Sequence, residues 1–117
     1  MTTPFVNFKM QPTSTINSTP VIIFGNDQHT CLIDGIVLAN TTDSPIEVKV
    51  SVTREGVEGT KIYFSLANKI VIQSGDRTDI LINAALTLEP GDLLYASSDY
   101  STNSFDTFVS YRELTEL

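Results

Sequence analysis

His29 and Cys31 stand two residues apart on a predicted strand, so they share a face, and Asp27 lies just before them. A zinc site needs three or four such ligands at about 2.0–2.3 Å. The chain has one histidine and one cysteine, so it cannot complete a site from these types alone. The pair reads as a buried thiol beside a strand-end histidine. A metal shared between subunits is the one arrangement in which symmetry would multiply the ligands.

Other spacings fail on their chemistry. Asp99, Ser101 and Asn103 have the first three positions of a calcium loop, but the sixth is Ser104 rather than Gly and the twelfth is Ser110 rather than Glu. Asp76 and Asp79 flank a turn and read as surface carboxylates. A nucleophilic triad needs a base beside its nucleophile, and His29 is the single imidazole; no Gly-x-Ser-x-Gly elbow occurs. Gly56 and Gly59 flank Val57 and Glu58 without the Lys-Ser/Thr of a phosphate loop. Asn17-Ser18-Thr19 and Asn40-Thr41-Thr42 are formal glycosylation sequons that read as loop chemistry. Hence no catalytic, cofactor-binding or metal-binding residue is assigned, and the chain is not expected to be an enzyme. Tyr100 and Phe105 are the aromatics in or beside the polar loop 97–105. Exposed there, they would suit sugar stacking or a protein contact; Phe105 reads as a core plug opening the last strand.

The elements that would carry these residues are short strands. The 117 residues fit one domain, and the apolar fraction of 41% supports a real core. Ile46, Val48, Val50 and Val52 alternate with Glu47, Lys49, Ser51 and Thr53, a half-buried antiparallel strand. Residues 29–40 are almost continuously apolar, so both faces are expected to be covered, with a bulge at Gly35. Val21–Phe24, 61–66, 69–73, 78–82 and 84–88 are further strands, and a helical turn near 80–85 is the one exception allowed. Pro90-Gly91 between Glu89 and Asp92 specifies a type II turn, read as an antiparallel connection between 86–88 and 93–97. Turn signals every eight to twelve residues predict an all-β fold, an antiparallel β-sandwich of jelly-roll or Ig-like type with about eight short strands. Residues 1–20 divide into an N-terminal arm or first strand, with Val6, Phe8 and Met10 on one face, and a polar connector over 11–19; residues 21–117 form the sandwich. The arm is read either as a strand of its own sheet or as one that pairs with a neighbouring subunit.

Totals narrow the setting. A net charge of −7 with seven scattered Lys and Arg argues against nucleic acid and anionic membranes as direct partners. A lone cysteine excludes an intrachain disulfide and fits assembly in a cytoplasm. No basic n-region followed by an apolar h-region opens the chain, so no secretory signal is expected.

Residues 36–52 and 69–112 carry a series of strand-and-turn signatures: IVLANTTDSPIEVKV, KIVIQSGDRTDIL, LTLEPGDLLYASS and FDTFVSYREL. Together they resemble a type of small all-β virion protein of tailed bacteriophages. The resemblance implies a β-sandwich that repeats around the head, neck or tail and has no active site. It implies a virion location, assembly in the host cytoplasm, and identical subunits and other virion proteins as partners. The alternative reading of the same fold is a carbohydrate-binding module using Tyr95 or Tyr100.

Overall fold

The computed structural model describes residues 5–14, 20–81, 85–100 and 103–114, with the backbone alone for 5–14 and 103. Nine antiparallel strands follow in order: β1 (Phe5–Ser14), β2 (Val21–Gly25), β3 (Thr30–Asn40), β4 (Ile46–Glu55), β5 (Lys61–Ile72), β6 (Arg77–Asp79), β7 (Leu86–Leu88), β8 (Leu93–Ser98) and β9 (Asn103–Leu114). One sheet has the order β1-β9-β3-β6, with β7 also on β3; the other has the order β2-β8-β4-β5. The chain winds as one long folded hairpin. β1 pairs with β9, β2 with β8, β3 with β6 and β7, and β4 with β5. That wound order, over a five-stranded layer in which β6 and β7 share the place beside β3 and a four-stranded layer, is a jelly roll, which decides between the two sandwich types expected.

The core follows from alternation. Ile46, Val48, Val50 and Val52 of β4 are all buried, and Glu47 and Lys49 between them are exposed. Each such aliphatic side chain is worth about 1.5–3 kcal/mol on burial, as an upper estimate. The facing layer supplies Ile33, Ile36, Leu38, Phe105 and Val109. Phe105 is 1% exposed, so it is the core plug expected of it. Phe24 and Tyr111 meet across the layers edge-on, with ring centroids 4.6 Å apart.

The Gly35 bulge is present: Ile33 faces Tyr111 while Gly35 faces Ser110, so Asp34 is the extra residue. Its carboxylate pairs with Arg112 at 3.2 Å.

Several boundaries differ from expectation. Residues 61–66 and 69–73 form one strand, β5, because two extra residues are absorbed as bulges opposite Val50, and Lys69 takes φ +57° there. The segments 78–82 and 84–88 shorten to β6 and β7; Ile80 and Leu81 form no helix, and the rest of the suggested helical turn, 82–84, lies outside the described residues. β1 runs to Ser14 and so takes in the first part of the predicted connector; residues 15–19, with the Asn17 sequon, lie outside the described residues.

Candidate interaction surface

The two ends of the sandwich are built from different chemistry. One end carries the loops 41–45 and 73–76 and residues 99–100. The other carries the loops 26–29, 56–60 and 89–92, together with the start of β1 and the end of β9.

At the second end, Pro90 and Gly91 form the predicted turn. Asp92 N–H donates to the Glu89 carbonyl at 3.0 Å, and Gly91 has φ +91°, as the third position of a type II turn requires. The predicted antiparallel connection between the flanking strands is not what this turn makes. β7 lies on β3 in one layer and β8 lies between β2 and β4 in the other, so the turn carries the chain across the sandwich. The reason is the aspartate that follows. Asp92 is 2% exposed and accepts from Glu89 N–H at 2.8 Å and from Arg54 of β4 through Nε at 3.0 Å and Nη2 at 2.6 Å. This clamp ties the crossing segment to the second sheet. The Arg54 guanidinium is held above its usual range, first by its hydrogen bonds to Asp92 and then by that carboxylate's charge.

Beside the clamp the surface turns apolar. The β4–β5 hairpin ends in the turn Val57–Gly59, with Glu58 at φ +58°. Val57 is 81% exposed, Tyr63 70%, Phe64 63% and Ile62 57%. Register puts Ile62 and Phe64 opposite Arg54 and Val52, on the core side of the sheet. Among the described residues they are faced across the groove by the three-residue β7, which leaves them uncovered. A groove of about 360 Å³ remains between the layers, lined by Val52, Arg54, Ile62, Phe64, Leu86, Thr87 and Leu88. Tyr63, on the opposite face of the same strand, is uncovered too. Arg54 also borders a second concavity, which Asp27, Glu55, Glu89 and Asp92 make acidic.

The residues singled out for chemistry are engaged in structure. Cys31 is buried, with Sγ 3.7 Å from the His29 carbonyl. Burial, and then the charge of Glu113, raise its thiol pKa. His29 precedes β3 rather than lying in it, and its N–H donates to Asn26 Oδ1 at 2.9 Å. Asp99 accepts from Glu47 N–H at 2.9 Å; Ser101 lies outside the described residues, as does the side chain of Asn103. Asp79 accepts from the N–H groups of Ile36 and Leu81, and Asp76 from that of Arg77. Among the described residues no three His, Cys, Asp or Glu side chains come together in a way that could hold a metal ion. Tyr95 is half-buried on β8 and Tyr100 is 37% exposed in its loop. Sequence reasoning missed the hairpin tip. Its signal was the run Ile62-Tyr63-Phe64, apolar on both faces of a strand, where a solvated outer face would place a polar residue.

No family model and no curated protein matches the chain. Solved structures do. A chain from work on Bacillus endospore appendages, described as a novel family of disulfide-linked pili, aligns with TM-score 0.59 and 17% identity over 99% of this chain and 92% of that one. A chain of infectious bursal disease virus, Gx strain, aligns with TM-score 0.56 and 10% identity over 96% of this chain and 33% of the viral one. At these identities the likeness is one of fold. The present chain corresponds to about a third of the viral chain's length.

Proposed function

We propose that the chain is a non-enzymatic structural subunit that assembles in many copies. The observation that carries this reading is the uncovered apolar hairpin tip and groove at one end of an otherwise well-filled sandwich. The largest apolar patch on a monomeric protein is roughly 300–600 Å² and is often functional. Here the most exposed large apolar side chains, Val57, Tyr63, Phe64 and Ile62, are gathered in one hairpin of an acidic chain. The jelly roll it shares with a pilus subunit and a viral chain adds support, since both belong to assemblies by their descriptions.

The finer setting rests on the strand-and-turn signatures of residues 36–52 and 69–112. By them the subunit belongs to a tailed-phage virion, on the neck, tail or capsid surface, with identical subunits and other virion proteins as neighbours. The acidic surface favours a position away from packaged DNA. Individual contacts can be weak, because many copies add avidity. The N-terminal segment supports the same reading: β1 is an edge strand joined to its sheet through β9, so it is available for exchange with, or contact to, a neighbour.

Sedimentation of the purified chain over a wide concentration range, with mass-spectrometric counting in purified particles, tests the proposal. Concentration-dependent growth and multiple copies per particle are expected. A chain that stays monomeric at every concentration and never co-sediments with particles would overturn it.

A further inference from the structure

Which surface of a second copy meets the uncovered end is a separate question, and its answer rests on the assembly reading above. Tyr63 and Phe64, about two-thirds exposed, leave roughly 200–300 Å² of aromatic surface in water; Ile62 and Val57 bring the patch to about 400–500 Å². A standard interface takes about 800 Å² from each partner, so the tip with its groove wall is most of one side of a modest contact.

Charge then selects the other side. The concavity next to the groove, which shares Arg54 with it, carries Asp27, Glu55 and Glu89, whereas Asp92 is already matched by Arg54. Two such ends brought together would set these carboxylates against each other. The opposite flank of the sandwich, where β1 and β2 are the edge strands, brings no such repulsion. These two strands contain no acidic residue and one lysine, Lys9. On β2 the side chain of Ile22 is 46% exposed, an apolar group on the edge strand itself, with exposed Pro20 just before it. Each copy therefore carries both halves of the contact on different flanks.

We infer that the β4–β5 tip and the groove it forms with β7 seat the β2 flank of a second copy, in a head-to-tail contact. Such a contact does not close on itself in a pair, so it builds rings or filaments according to the rotation between copies.

Two variants of the full chain, each with one introduced cysteine, test this: Phe64→Cys and Ile22→Cys. Native Cys31 is fully buried and remains unreactive. Mixed and oxidised at assembling concentration, they should form the Phe64→Cys/Ile22→Cys heterodimer as the main product. Phe64→Asp should weaken association by about tenfold or more, with an unchanged melting temperature. A product made only of Phe64→Cys homodimers would mean a two-fold tip-to-tip contact and would overturn the inference. So would assembly that proceeds normally in Phe64→Asp, although the subunit reading would then survive. A wild-type chain that never associates would remove that reading and this inference together.

Discussion

The two ends of the sandwich use loops of similar length in opposite ways. At the end bearing Asn40, polar groups are satisfied within the chain. Asn40 is 4% exposed; its Nδ2 donates to the carbonyls of Ser44 at 2.8 Å and Ile72 at 2.9 Å, and its Oδ1 accepts from Thr42 N–H at 2.8 Å. Ser74 Oγ donates to the Thr42 carbonyl at 2.7 Å, and Ser98 and Ser104 hydroxyls meet at 2.6 Å. One buried amide thus fastens the loop 41–45 to the end of β5, and Ser74 ties the next loop to it. At the other end the Asp92 clamp and Asn26, which accepts from the Gln28 and His29 N–H groups and donates to Glu113, do the same for their own loops, but the β4–β5 hairpin beside them leaves aromatic and aliphatic groups in water. The first end closes the fold; the second leaves surface for a neighbour.

Substitutions sharpen that contrast, beginning with the largest expected effect. Asn40→Ala removes the bonds of a 4% exposed amide to Ile72, Ser44 and Thr42. At about 1–3 kcal/mol for each buried group left unsatisfied, with partial relief by water, it should cost about 2–4 kcal/mol in chemical denaturation and leave association of the remaining folded protein unchanged. Asp92→Ala removes the clamp and leaves Glu89 N–H and Arg54 without it. Because the guanidinium is half exposed and rehydrates, the expected loss is about 1–3 kcal/mol. It should also loosen the groove wall and weaken association, which Asn40→Ala does not do. Gly91→Ala meets no nearby atom but places a Cβ on a residue at φ +91°, for a loss of about 1 kcal/mol.

The smallest effect is on pH dependence. The Tyr111 phenol is raised by desolvation first, and then by the charges of Glu113 and Cys31. The Cys31 thiol is raised as well. For both, the folded chain holds its proton where the unfolded chain releases it. Their contribution is therefore fully present below the unfolded pKa values, near 9 and 10, and is lost as pH rises through the higher folded values. Melting temperature should fall above about pH 9, and Tyr111→Phe should make that fall shallower.

Much of the architecture was legible because period-two alternation is a direct record of which face is buried. Ile46 through Val52 announce β4, and Asp34-Gly35 announces a bulge. Pro90-Gly91 announced its turn correctly but not its destination, since a type II turn has the same local chemistry whether the next strand returns to its own sheet or crosses to the other. That choice is made by Asp92 and Arg54, 38 residues apart in sequence. The interaction surface was hidden for a related reason. Ile62 and Phe64 have the pattern of core residues and do lie on the core-facing side. Their exposure follows from the shortness of β7, whose length no local pattern sets.

The central claim is that the β4–β5 end is a contact surface and the Asn40 end is not. Sedimentation velocity on Phe64→Asp and Thr41→Asp, one exposed site at each end, tests it most directly. Both variants should melt like the wild type. Phe64→Asp should sediment as monomer at concentrations where Thr41→Asp and wild type associate. Equal association of the two variants, or loss in Thr41→Asp alone, would contradict the account.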